Sequence, residues 1–215
     1  MTHYFTDNTN LAQNRKEISF RFSGVNFRFI TDNGVFSKSE VDFGTWVLLK
    51  TITPLITDGR VLDLGCGYGV VGIVVKTLCP NTQCLSVDVN GRAVELAKLN
   101  YRTNKVSGEC LVSDRFRNVD PSLRFKHIIT NPPIRAGKEV IYEMFEKAYD
   151  YLETNGVLWV VIRKQQGAPS AIKKITEVFN NCEVIAKEKG YFVLKALKWL
   201  THWHTFDNII NCIIV

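Results

Sequence analysis

Four short polar clusters interrupt otherwise apolar stretches of this chain, and each has the residue types of a binding or catalytic site. The first is Asp63-Leu64-Gly65-Cys66-Gly67-Tyr68-Gly69, where glycines follow an acid at every second position. Glycines let the backbone approach a ligand closely, and the free N–H groups of a helix that starts directly after them face that ligand. A dinucleotide site needs a further glycine three residues after the second, and that position is Val70. Asp63 also argues against a pyrophosphate, because two negative groups repel, and suits a cationic ligand. The second cluster is Asp88-Val89-Asn90. A carboxylate about twenty residues past a glycine turn can accept both hydroxyls of a ribose, and Asn90 is placed to cap a following helix. In the third, Ser113-Asp114, the carboxylate can accept from an adenine amino group.

The fourth cluster, Asn131-Pro132-Pro133-Ile134, carries reaction chemistry. A planar NH2 conjugated to a ring or carbonyl is a poor nucleophile because its lone pair is delocalised. The Asn131 side-chain oxygen and the Pro132 carbonyl can accept its two N–H bonds, drawing the nitrogen toward tetrahedral and aiming the lone pair at an electrophile. Pro133 fixes the backbone that presents those acceptors, and Pro132 biases Asn131 away from helix. Ile134 would pack on the face of the acceptor ring.

The elements that must position these clusters alternate between strand and helix signals, the mark of a parallel sheet with helices on both faces. Strands are predicted at Val61–Leu64, Cys84–Val87, Glu109–Val112, Lys126–Thr130 and Val157–Ile162. Helices are predicted from the glycine turn to about Cys79, then at Arg92–Asn104, Lys138–Leu152 and Ser170–Phe179. Cys182–Glu188 and Tyr191–Leu197, joined by the tight turn Lys189-Gly190, form a terminal antiparallel pair. All four clusters fall at carboxyl ends of strands, where open parallel sheets hold their ligands.

Ahead of this core, Met1 to Glu17 reads as a loose polar arm. Ile18–Phe22 and Phe27–Ile30 form a hairpin around Ser23-Gly24. Its aromatics lie on one face, and Arg21 and Arg28 lie on the other, a face for either solvent or RNA backbone. Ser37 to Glu40 is expected to open a helix through about Thr51, capped by Ser37 or Ser39, with Val41, Trp46, Leu48 and Leu49 inward. Residues 1–198 thus form one domain, of which 1–36 are arm and hairpin. Residues 199–215 are an aromatic and aliphatic tail with no assigned role.

At 215 residues the chain supports one sizeable α/β core. A formal charge of +6 and pI near 9.0 point to a polyanionic partner such as nucleic acid. The six cysteines are scattered, with no paired metal-ligand spacing, and the His202/His204 pair has no third ligand in view; no metal and no disulfide framework are expected. No apolar run is long enough to span a bilayer and no signal peptide is seen, so the expected compartment is the cytoplasm.

The Asp63 to Gly69 pattern resembles motif I of the class I S-adenosylmethionine (SAM) methyltransferases, whose cofactor carries an ammonium and a sulfonium. Asn131-Pro132-Pro133-Ile134 resembles motif IV of amino-methyltransferases acting on planar nitrogens of bases or of glutamine. With Gly34-Val35-Phe36-Ser37, Arg92-Ala93, Asn100, Arg135-Ala136-Gly137-Lys138 and Lys164-Gln165-Gln166-Gly167-Ala168-Pro169, the chain resembles the RsmC-like rRNA guanine-N2 methyltransferases, the methyltransferase small domain, over about residues 4 to 197.

That resemblance implies a class I Rossmann-like fold: a mostly parallel seven-stranded sheet with one antiparallel strand, plus the N-terminal hairpin. It implies SAM held by Phe36, Asp63, Gly65, Cys66, Gly67, Gly69, Asp88, Val89, Asn90, Ser113, Asp114 and Asn131. Asn131, Pro132, Pro133 and Ile134 would carry the transfer, to guanine N2 in small-subunit rRNA, naked or assembled. Arg135, Lys138, Arg163 and Lys164 are candidates for RNA phosphate contacts. The best-known members have a second, degenerate domain and an aromatic after N-P-P; with a hairpin arm and Ile134, this chain looks like a single-domain branch. N-P-P also suits a protein glutamine, as in release-factor methyltransferases, whose usual fourth residue is Tyr. A silent RNA-binding or assembly module remains the alternative outside enzymes, although it has no reason to keep the acceptor geometry.

Overall fold

The structure, a computed structural model, describes residues 12–199. The chain opens with the hairpin β1 (Lys16–Phe22) and β2 (Val25–Thr31), paired from Lys16↔Thr31 to Phe22↔Val25. Ser23 and Gly24 both take positive φ, 47° and 80°, which gives the turn a twist matching that of the strands. Phe22, Phe27 and Phe29 are buried while Arg21 and Arg28 are exposed, so the alternation read from sequence holds.

Seven further strands form the central sheet: β3 (Gly59–Leu64), β4 (Thr82–Asp88), β5 (Glu109–Val112), β6 (Phe125–Thr130), β7 (Leu152–Arg163), β8 (Glu183–Glu188) and β9 (Tyr191–Leu197). Their order is β5-β4-β3-β6-β7-β9-β8, and β9 alone runs opposite to the rest of the sheet. Strand order reverses between β3 and β6, which is where an open sheet leaves a crevice. Among the described residues five α-helices cover the faces: α1 (Phe43–Ile52), α2 (Val70–Leu78), α3 (Gly91–Thr103), α4 (Lys138–Tyr151) and α5 (Ala168–Phe179). The hairpin and α1 to α3 pack with Val61, Trp159 and Val161 on one face; α4 and α5 pack with Leu62, Leu158 and Val160 on the other. Alternate residues of one strand therefore feed opposite cores, which is why these strands read as continuous apolar runs. Among the described residues no helix is long and apolar enough to cross a membrane.

The first helix starts later than its sequence suggests. Ser37 sits at φ 52° in a left-handed turn, and its hydroxyl donates to the Glu40 carbonyl (2.6 Å), so neither it nor Ser39 opens a helix. Asp42 is the N-cap instead, its Oδ2 accepting from the Thr45 N–H at 3.0 Å. The apolar face consequently shifts: Val47, Leu48, Leu49 and Ile52 point inward, while Trp46 stays half-buried.

Two asparagines, Asn100 within α3 and Asn104 at its C-cap, bind the hairpin to the core. Asn100 Oδ1 accepts from the Ile30 N–H (2.7 Å), and its Nδ2 donates to the carbonyls of Ile30 and Tyr68, both at 2.9 Å. One turn later Asn104 makes the same two contacts with Arg28. These carboxamides complete the β2 edge where a neighbouring strand would otherwise be needed. Asn90 caps α3 through Oδ1 and donates from Nδ2 to the Gly34 carbonyl (2.9 Å), while Arg92 pairs with the buried Asp32 at 3.6 Å. Together they hold residues 34–37 over the ends of β3 and β4.

Candidate active site

A cleft of about 300 Å³ opens at the carboxyl ends of β3, β4, β5 and β6. Phe36, Asp63, Gly65, Cys66, Gly67, Asp88, Val89, Ser113, Asp114, Asn131, Pro132 and Pro133 all line it, bringing the four polar clusters together. Gly69, Asn90, Ile134, Arg135, Lys138, Arg163 and Lys164 are not among its lining residues. Gly69 serves packing: at φ 93° a Cβ there would lie 3.1 Å from that of Ala97, so α2 and α3 need the glycine to approach. Asn90 is fully buried as the cap and strut just described. Ile134 opens a short 3-10 turn and leans on the apolar cluster under α4. Arg135, Lys138, Arg163 and Lys164 are exposed. The His202/His204 pair and the rest of residues 200–215 lie outside the described residues.

The glycine loop leaves open space beside its backbone. Gly65 (φ 79°) and Gly67 (φ 54°) are in the left-handed region, and a Cβ on either would meet nothing within 4 Å, so both border open space. Asp63 is nearly inaccessible, and its Oδ2 accepts from the Gly72 N–H at the start of α2 (3.0 Å). Burial, opposed by that bond and reinforced by the Asp88 charge, pushes the Asp63 carboxyl up to about 7. A cation placed in the cleft would favour its ionised form. Asp88 receives the Gly67 N–H on Oδ2 (2.8 Å) and the Asn90 N–H on Oδ1 (2.9 Å). Burial raises its pKa while these amides lower it. Each carboxylate oxygen offers two lone pairs, so Asp88 retains acceptors for hydroxyls. At the end of β5, Asp114 faces Arg115 (3.2 Å), which also pairs with Glu143 (3.2 Å).

The most informative geometry surrounds Asn131. Its Nδ2 donates to Asp42 Oδ2 and to Thr45 Oγ1, both at 3.1 Å. An ionised carboxylate only accepts, so the nitrogen of the amide must face Asp42. The Asn131 oxygen is thereby fixed as the free acceptor of the pair. Asp42 and Thr45, the residues that impose this, were read in sequence only as helix interior. Their three-residue spacing is a capping signal that finds them once the helix start is set correctly. Val35 and Tyr68, inside quoted motifs but given no role there, also line the cleft, as do Arg115, Val140 and Met144 without a sequence signal of their own.

A parallel sheet with one reversed strand, a glycine loop at its switch point, acids at successive strand ends and an Asn-Pro-Pro turn define a class I SAM-dependent methyltransferase. The chain belongs to the methyltransferase small domain family, which matches residues 26–195. Among its relatives is the uncharacterized protein YbxB of Bacillus subtilis, 43% identical over 197 residues, covering 91% of this chain and 98% of that protein. Ribosomal RNA small subunit methyltransferase C of Haemophilus influenzae is 36% identical over 169 residues, 77% of this chain and 49% of that one. This chain thus spans about half the length of the named rRNA methyltransferases it matches. A solved 16S rRNA N2 methyltransferase (RsmC) from T. thermophilus, in complex with AdoMet and guanosine, superposes with a TM-score of 0.79 at 25% identity, over 86% of this chain and 50% of that one. A methyltransferase from Pyrococcus furiosus, at 19% identity and TM-score 0.66, shares the fold. The cofactor is S-adenosylmethionine, and the open glycine cradle with Asp63, Asp88 and Asp114 around it fits a ligand that combines cationic centres, ribose hydroxyls and an adenine amine.

Proposed function

We propose that this protein methylates the exocyclic N2 of a guanine in small-subunit rRNA. The observation that carries the reading is the Asn131 amide, locked by Asp42 and Thr45 so that its oxygen is left to accept from an amine. Asn131 Oδ1 and the Pro132 carbonyl would take the two N–H bonds of the guanine N2, turning its lone pair toward the cofactor side of the cleft. SAM supplies an electrophilic methyl group on a sulfonium. Asn131 and Pro132 would present the amine lone pair in line with that methyl, so that the N–C bond would form as the sulfonium C–S bond broke, with the extra proton of the amine leaving to water. Positioning and desolvation provide the acceleration, without a general base. Asp63, Gly65, Gly67, Asp88 and Asp114 would hold the cofactor, with Phe36 over it. A guanine within a helix must be flipped out to reach the cleft.

An RNA substrate is supported by the names of the small-subunit rRNA methyltransferase relatives and by the basic residues Arg135, Lys138, Arg163 and Lys164 exposed around the carboxyl edge. The test is transfer of labelled methyl from SAM to unmethylated rRNA, naked and as assembled small subunits, followed by nucleoside digestion. Label in N2-methylguanosine is the expected result. Tight SAM binding with no label on any RNA would overturn the reading and turn the search to protein glutamine.

A further inference from the structure

The surface beside Asn131 carries an arrangement that catalysis does not use. In the first turn of α1, directly after Asp42, the rings of Phe43 and Trp46 stack with centroids 5.5 Å apart and planes 18° from parallel. Tyr191, at the start of β9, tilts against Phe43 at 5.9 Å. Each ring has a cation above it: Lys189 over Phe43 (4.8 Å), Lys50 over Trp46 (4.9 Å) and Arg163 over Tyr191 (5.0 Å). All three rings are half-buried, so they form a ridge with one side in the core and one side in solvent. Lys50 pairs with Glu188 at 3.0 Å, whereas Arg163, Lys164 and Lys189 are exposed and form no ion pair among the described residues.

We propose that this ridge binds single-stranded RNA flanking the target nucleotide, with bases stacking on Phe43 and Trp46 and phosphates meeting Arg163, Lys164 and Lys189. The proposal rests on the RNA reading above and deepens it. Aromatic faces interleaved with cations are what single-stranded nucleic acid requires: every base has a face to stack, and every linkage carries a charge. Glu188 and Asp42 bring negative charge here, and each is engaged, with Lys50 and with Asn131 respectively.

Continuity with the catalytic site is direct. A Cβ on Gly44 would lie 2.5 Å from the Tyr191 ring and 2.8 Å from Asp42 Oδ2, so ring, glycine and carboxylate are in close contact. Burial first, then the Asp42 charge, holds the Tyr191 phenol above its ordinary pKa. The same Asp42 orients Asn131. A nucleotide leaving the Asn131 pocket therefore passes over Tyr191 onto Phe43 and Trp46. Stacking is tolerant of base identity, so the ridge supplies affinity for the unpaired strand while the pocket reads the target.

The experiment compares wild type with Phe43→Leu, Trp46→Leu and Lys189→Gln in methyl transfer to unmethylated rRNA, beside SAM affinity by calorimetry. Leucine keeps the apolar packing and removes the ring. The expected result is a rise of about 5- to 150-fold in KM for RNA for each lost ring, with SAM affinity unchanged. In parallel, ultraviolet irradiation of wild-type protein with RNA should crosslink the peptide containing Phe43 and Trp46, a readout independent of any variant's folding. Wild type active on RNA with unaltered KM in the variants and no crosslink would overturn the ridge alone, leaving it to a protein partner. Wild type inactive on every RNA would overturn the substrate reading first and this proposal with it.

Discussion

Replacing Asn131 by alanine removes the acceptor Oδ1 together with the two hydrogen bonds that orient it, so its consequence can be worked out in advance. In the ground state the side chain makes two hydrogen bonds through Nδ2, each at 3.1 Å. Asp42 keeps its bond from the Thr45 N–H after the change, and the site opens to water, so no charge is left stranded. The stability loss should stay below about 4.5 kcal/mol, the upper figures for one charge-assisted and one neutral hydrogen bond together. The catalytic loss is larger in kind. The amine gains positive charge as the new bond forms, and its N–H groups become stronger donors, so Oδ1 binds the transition state better than the ground state. Removing one preorganised partner of a developing charge costs about 10²–10³-fold in turnover at comparable sites. The assay is kcat for labelled methyl transfer, with SAM affinity by calorimetry and melting temperature as controls. An Asn131→Ala protein that folds, binds SAM and retains turnover within about tenfold of wild type would refute the acceptor role, since tenfold corresponds to only about 1.4 kcal/mol.

Three further outcomes follow from the same geometry. Asp42→Ala should lower turnover while costing about 1 kcal/mol of stability through the lost cap of α1; normal kcat with a lowered melting temperature would reduce Asp42 to a cap. Asn100→Leu strands the Ile30 N–H and the Ile30 and Tyr68 carbonyls. A destabilisation of about 2–4 kcal/mol in denaturant titration and weaker SAM binding are expected, because the hairpin holds residues 34–37 over the cleft. Two of the contributions to the pH profile oppose each other. Asp63, raised to about 7 by burial, binds a proton in the folded state that the unfolded chain releases, so its contribution falls as pH rises from about 4 to 7. His127, lowered to about 4 by burial and then by the Lys126 charge, stays neutral when folded, so stability rises with pH from about 4 to 6.5. Asp63→Asn removes the first and should steepen the rise in melting temperature across that window; identical slopes would contradict the assignment.

What the sequence by itself determined was everything encoded within one strand-turn-helix unit. The Asp63 to Gly69 loop, the Asn90 cap, the terminal hairpin and the Asn131-Pro132-Pro133 turn depend on neighbours a few residues apart, where apolar runs, glycines and prolines act directly on the backbone. Even the meeting of four strand ends was legible, because parallel strands joined by helices all point their carboxyl ends the same way. The helix after Ser37 was misplaced because a serine that looks like a cap instead closes a left-handed turn, bonded to the Glu40 carbonyl, while residues 32–34 are tied to the start of α3. Tertiary structure alone decided how the side chains were used. Asp42 reaches Asn131 across 89 residues, Asn100 reaches Ile30 across 70, and Ile134 turns to the apolar cluster under α4. These partnerships follow from the reversal of strand order between β3 and β6 and from the packing of the hairpin on α3. No local pattern specifies such distances, because a hydrogen bond between remote elements exists only after both have been placed.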